Sequence, residues 1–261
     1  MSLFKRMTQS IDFVKEGRYF TIPILNRPLR SLLLFSLLYT LASLLLDKAL
    51  SFRVNPIYLI ALVVTPLSIL ALKLDNIFFS LIGDNIKSMQ RSEKYRIITS
   101  GLIHADYMHL LFNLFSLFLV GLPLYTTLLY QFGWLASPII IITFLSGIYI
   151  GSELTLRTKF GRLNPLHLGS SSGVLSILTL FVLKNQSGDL YLFGLIRFNN
   201  LTFLILFTAL TFFSLFKSIP AFDMILSFSK KKINHAGHLG GILAGFLVYW
   251  SALLALPFIL R

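Results

Sequence analysis

From Tyr107 to Ser152 the chain carries no Asp, Glu, Lys or Arg. A helix crosses the roughly 30 Å hydrocarbon core of a bilayer in about 20 residues. This one stretch therefore has the length of two crossings, and it holds its own punctuation: Pro123, then Gln131-Phe132-Gly133. Other uncharged runs flank it. Ser31–Leu46 is a little short for a span, and Val54–Leu72 contains Pro66, a kink signal. Leu168–Leu183, Asn199–Phe216 and Ala236–Leu260 complete a set of seven apolar segments.

Composition agrees. The chain is 56% hydrophobic and only 13% charged, with a mean hydropathy of +0.79. A soluble domain of this size needs far more polar surface. The expectation is an all-α, multi-pass protein of the cell membrane, in contact with the lipid bilayer. Residues 1–30 read as a basic tail without a signal-peptide pattern. Residues 31–55 read as an extra N-terminal span and link, and 56–261 as the main membrane domain. Absence of cysteine removes disulfide and thiolate chemistry.

The net charge of +13 could suggest nucleic acid. The basic residues instead sit between the apolar runs, where they set topology, so no nucleic-acid partner is expected. If all seven runs span, Lys48, Arg53, Lys184, Arg197 and Arg261 fall on one side, and the other 18 of the 23 basic residues on the opposite side. That bias puts the tail and the loops 73–100, 153–167 and 217–234 in the cytoplasm. If Ser31–Leu46 does not cross, the split becomes nearly even.

Three polar clusters sit where polarity is expensive. The first is Leu168-Gly169-Ser170-Ser171-Ser172-Gly173-Val174-Leu175-Ser176. Gly169, Gly173 and Ser176 share one face and make a narrow helix surface that a neighbour can approach. A serine beside glycine at a helix start also has the surroundings of a nucleophile. The second runs from His104 to Asn113, with His109 and Asn113 a turn apart on one face; read alone, Asn113 is an interhelical hydrogen bond. The third is Asn234-His235-Ala236-Gly237-His238-Leu239-Gly240-Gly241, in which Gly237, Gly241 and Gly245 form a close-packing face. A lone histidine there is more often a satisfied polar residue than a catalyst. Metal binding is disfavoured, because H-E-x-x-H is absent and no carboxylate except Asp106 stands at ligand spacing. Serine, histidine and donor side chains on separate helices are the inventory for acyl transfer.

These residues resemble the rhomboid family of intramembrane serine proteases. Tyr95-Arg96 through His104-Ala105-Asp106-Tyr107-Met108-His109-Leu110-Leu111-Phe112-Asn113 is similar to the family's arginine-bearing first loop and its H-x-x-x-x-H-x-x-x-N helix. Ser172-Gly173 resembles the end of G-x-S-G, and His238-Leu239-Gly240-Gly241-Ile242-Leu243-Ala244-Gly245 resembles the final H-x-G-G-x-x-x-G helix. The resemblance implies a six-helix bundle, here with an added N-terminal helix. It implies Ser172 as nucleophile next to Gly173, and His238 as base, near Gly241, with no aspartate behind it. His109 and Asn113 would be oxyanion donors, with His104 and Arg96 structural. His235 receives no role. Two positions depart from the pattern. The family has glycine two residues before its serine, where this chain has Ser170. An aromatic often stands four residues after it, where this chain has Ser176. A shifted Gly169-Ser170-Ser171 register stays open. The implied reaction is hydrolysis of a peptide bond in or near a transmembrane segment of a membrane-protein substrate, without cofactor or metal. Two other classes remain: an inactive rhomboid-like protein binding membrane clients, and a transporter.

Overall fold

The computed structural model describes residues 54–74, 93–158, 166–192, 196–216 and 233–259, together with Leu38, Leu81, Gly83 and Asp84. The basic tail and, apart from Leu38, the run Ser31–Leu46 lie outside the described residues. What is described is mostly helical. The longer helices are α1 (Pro56–Lys73), α3 (Tyr107–Phe132), α4 (Ala136–Arg157), α5 (Ser171–Lys184), α6 (Asn200–Ser214) and α7 (His235–Ile259). A short α2 (Arg96–Thr99) runs into a 3₁₀ turn, Ser100–Leu102. Two small antiparallel pairs join loops: β1 (Gly83–Asp84) with β2 (Leu166–His167), and β3 (Asp189–Leu192) with β4 (Ile196–Asn199). The all-α expectation is thus modified by two short ribbons. The second lies between the apolar runs Leu168–Leu183 and Asn199–Phe216, and Arg197 closes it by donating to Asp189 at 2.7 Å.

Helix ends follow local chemistry. Asn55 accepts from the Ile57 N–H and precedes Pro56, a proline at the first helical position. Asp106 caps α3 by accepting from the His109 N–H at 2.7 Å. Asn199 caps α6. The break expected at Pro123 does not occur, and α3 continues through it to Phe132. Proline removes one N–H and crowds one carbonyl, which a helix packed on its neighbours absorbs. The chain turns instead at Gly133, where φ is 55°, a conformation that favours glycine.

α5 lies at the centre, packed on α3, α4, α6 and α7, and α7 lies against both α4 and α5. Small residues make these approaches close. A Cβ on Gly240 would stand 2.5 Å from the Gly151 Cα, and one on Gly241 would collide with the Ser172 backbone. The core gathers Ile57, Ile60, Leu117, Leu124, Ile140, Phe144, Ile148, Ile177 and their neighbours. Large apolar residues also cover the outside, among them Tyr58, Leu62, Leu111, Phe115, Leu119, Phe213 and Trp250. In water such a surface would aggregate; against lipid chains it is appropriate. Pro56–Lys73 and the continuous stretch Tyr107–Arg157 are long and apolar enough to cross a membrane.

Candidate active site

α3, α5 and α7 each begin at the same end of the bundle, and their first turns carry the polar clusters. Gly169 has φ +114°, a left-handed conformation that glycine adopts without strain. This turn delays the start of α5 to Ser171, later than the apolar run suggests. The Gly169 N–H donates to the Ser100 carbonyl at 2.9 Å, tying the turn to the first loop. The face of Gly169 is filled by His109, whose Cε1 would lie 2.6 Å from any Cβ placed there.

The imidazole of α7 meets a serine of α5. His238 Nε2 lies 3.1 Å from Ser171 Oγ. The serine in contact is one residue before Ser172, the position the Ser-Gly dipeptide favours. Ser172 points elsewhere. It is buried, with its Cβ and Oγ against the bare backbone of Gly151 on α4. The open alternative of the sequence, Gly169-Ser170-Ser171, is the arrangement in which a glycine stands two residues before the contacting serine. In that arrangement the position four residues on is Leu175, not Ser176. Leu175 packs with Ile242 and Leu239 of α7. Ser176 is bound to the Thr143 and Gly173 carbonyls, each at 2.7 Å, as a helix-packing residue.

His238 Nδ1 is buried with no partner among the described residues. The imidazole is therefore held by its helix rather than by a carboxylate. Asn234 secures that helix: its Oδ1 accepts from the Gly237 N–H at 3.0 Å, and its Nδ2 donates to Thr155 Oγ1 at 2.8 Å. Cap and crosslink fix the first turn of α7 against α4. His235, at the start of α7, is buried with its ring 6.2 Å from that of His238.

The expected donors sit a turn apart on α3, with the His109 ring against Gly169. Asn113 is buried, and its Nδ2 donates to the His109 carbonyl at 2.8 Å. That leaves one amide hydrogen of the pair. The N–H groups of Ser171, Ser172 and Gly173 open α5 and have no intrahelical acceptor. Their helix end carries partial positive charge.

His104 is fully buried between two elements. Its Nδ1 lies 2.9 Å from Ser68 Oγ on α1, and its Nε2 lies 3.1 Å from Ser170 Oγ. The Ser170 N–H also donates to Nε2, at 3.3 Å. Nε2 thus accepts, so Nδ1 carries the proton. Burial, with His109 adding to it, holds His104 well below the usual histidine range, although Asp106 pulls the other way. Arg96 is buried too, and its Nε donates to Glu93 at 2.6 Å.

Several residues of this neighbourhood receive no role in the sequence reading. Ser68 is a lone hydroxyl inside an apolar run. Glu93 stands three residues before Arg96, one helical turn away. Asn234 is an N-cap three residues before Gly237, a spacing that could have marked it. His167 is the last residue of a loop that looks merely polar. It is buried, and burial pushes its imidazole down to about 4. Both of its ring nitrogens lack partners among the described residues. His167, Ser100, Gly169, Ser171, Ser172 and Asn234 line a small cavity of about 30 Å³.

No curated protein matches the chain. The Rhomboid domain family model does, over residues 91–255. That span holds every residue of the Ser171–His238 neighbourhood just described except Ser68, on α1. Extending over more than half of the sequence, the match makes the chain an integral membrane protein of the rhomboid family, whose members are generally intramembrane serine proteases acting on membrane-protein substrates.

Proposed function

We propose that this protein is an intramembrane serine protease with Ser171 as nucleophile and His238 as general base. The observation that carries the reading is the 3.1 Å approach of His238 Nε2 to Ser171 Oγ across the α5–α7 packing. It is within the reach required for proton transfer. The nucleophile moves one residue from Ser172 because Ser172 faces Gly151. Gly151 lacks a side chain, and that absence makes room for a serine where the family motif has its second glycine.

Ser171 Oγ attacks the carbonyl carbon of the scissile peptide while its proton passes to His238 Nε2. The carbonyl oxygen becomes an oxyanion. His109, Asn113 and the free N–H groups of α5 donate to it, aided by the helix end. The C–N bond breaks, and His238 gives its proton to the leaving amine. A water then attacks the acyl carbon, passing a proton to His238, which returns it to Ser171 Oγ as the carboxylic product leaves. Water reaches such a site when polar helix faces line a cavity open to one side. The long helices α1 and α3–α7 would be the six spans of the family bundle, in the cell membrane, with Ser31–Leu46 as a seventh.

The test is covalent labelling of the purified chain by a fluorescent fluorophosphonate, with Ser170, Ser171 and Ser172 each changed to alanine. Labelling should vanish in Ser171→Ala and survive in Ser172→Ala. The reverse pattern restores Ser172. Failure of the unsubstituted chain to label leaves a rhomboid-like protein that binds clients without cleaving them.

A further inference from the structure

Ser170 stands immediately before α5, where a serine ordinarily caps the helix. Such a cap has an extended backbone, and its hydroxyl oxygen accepts from an N–H of the first turn, here that of Ser172 or Gly173. Ser170 does neither. Its φ and ψ are −78° and 4°, and its side chain makes no bond to the helix end. The hydroxyl is turned instead toward the first loop. Its Oγ lies 3.1 Å from His104 Nε2, and the Ser170 N–H donates to the same nitrogen at 3.3 Å. Both residues are buried.

One imidazole lone pair thus takes both Ser170 donors. Ser68, on α1, keeps that lone pair in place. Its Oγ lies 2.9 Å from His104 Nδ1 and donates to the Leu102 carbonyl at 3.2 Å, so it accepts the Nδ1 proton. The Gly169 N–H on the Ser100 carbonyl anchors the preceding peptide. These bonds hold the Ser170 hydroxyl off the helix that it precedes. The N–H groups of Ser172 and Gly173 therefore keep no side-chain acceptor from the cap position. An N–H already given to a cap is a poor donor to a developing charge, whereas an open one is the preorganised donor that acyl transfer needs.

We infer that His104 is a positioning residue: it draws the Ser170 hydroxyl away from the end of α5, and so keeps the N–H groups of Ser172 and Gly173 open to the oxyanion formed at Ser171. The inference rests on the protease reading above. Without the His104 acceptor, Ser170 turns onto the helix as an ordinary cap and occupies a donor that the reaction uses. The harm done by losing His104 therefore passes through the Ser170 side chain, and removing that side chain relieves it.

The test measures the rate of fluorophosphonate labelling at saturating probe on the folded fraction of the purified full chain. His104→Leu should slow labelling at least about tenfold, since one lost oxyanion donor costs about 10²–10³ in rate. The half-saturating probe concentration should stay where it is. Adding Ser170→Ala to His104→Leu should restore most of the rate, a rescue that a merely structural histidine would not allow. Ser170→Asn and Ser170→Ala carry the test if His104→Leu does not fold. Asparagine is a strong neutral cap and alanine is none, so Ser170→Asn should melt no lower than Ser170→Ala yet label at least about tenfold more slowly. A double variant as slow as His104→Leu, or equal rates in Ser170→Asn and Ser170→Ala, would overturn the role of His104 while leaving the protease reading intact. Absence of Ser171-dependent labelling in the unsubstituted chain overturns both.

Discussion

A histidine whose two ring nitrogens are both committed in a buried site has one workable charge state. His104 accepts at Nε2 from the Ser170 N–H and presents Nδ1 to Ser68. A second proton would place a donor against a donor. His104 and His167 are both shifted downward by burial. Below about 6.5, the ordinary histidine value, the unfolded chain therefore binds more protons than the folded one, and stability falls with pH. For His167 the window runs from about 6.5 to about 4. Each group contributes at most about 1.4 kcal/mol per pH unit. Thermal unfolding of the detergent-solubilised protein should thus be flat above pH 7 and decline between pH 6 and pH 5. Changing His104→Gln should remove part of that decline, even if it lowers stability at pH 7.5. An unchanged melting temperature from pH 7 to pH 5 would contradict both buried neutral imidazoles. At this scale the sequence was informative about residue type and less so about aim. The serine triplet and His238 were legible. Which serine points at His238 was not, because it turns on the positive φ of Gly169 and the empty face of Gly151.

Helices deliver these residues, and close packing sets the distances between them. α7 meets α4 where Gly240 faces Gly151, and meets α5 where Gly241 faces Ser172. A methyl group on Gly240 would fall within 3 Å of the Gly151 N and Cα and of the Ile150 carbonyl oxygen. These are backbone atoms, which cannot rotate away. Gly240→Ala should therefore push α7 from α4, costing about 1–3 kcal/mol of stability and lengthening the His238–Ser171 contact. Fluorophosphonate labelling should drop by more than the unfolded fraction explains. Gly133→Ala is the contrast: nothing lies within 4 Å of its Cβ position, so its cost is confined to the strained backbone and labelling should persist in the folded fraction. Equal labelling loss in the two folded variants would break the link between packing and catalysis. The glycine spacing of the last helix was readable as a close-packing face, since period four is a local property of a helix. The passage of α3 through Pro123 was not, because tertiary packing overrides a local breaker.

Across the whole molecule, the loops that precede α3, α5 and α7 gather at one end. Gly169 bonds to Ser100, β1 pairs with β2, and Asn234 reaches Thr155 at the end of α4. Their grouping on one side was legible from alternation of the apolar runs alone. By that alternation the basic residues of 73–100, 153–167 and 217–234 are expected on the side of the site, against Lys184, Arg197 and Arg261 on the other. The tail decides the rest. If Ser31–Leu46 crosses, Lys5, Arg6, Lys15, Arg18, Arg27 and Arg30 join the site side and leave Lys48 and Arg53 opposite. The positive-inside rule then puts the catalytic mouth in the cytoplasm and the C-terminus outside. If it does not cross, the tail's charges offset those of the loops, and the bias that would hold the site inward disappears. Arg30 and Asp47 bracket the run and nothing polar divides it, so seven crossings are expected. A reporter fused after Arg261 that is active only outside the cytoplasm should be active in the full chain. Deleting residues 1–46 removes one crossing together with the six tail charges. The remaining site-side loops carry twelve basic residues against five opposite, so they should stay inward and the reporter should stay active. Silence of the reporter on the full chain would refute the seven-span, inward-facing arrangement and leave the Ser171–His238 geometry untouched.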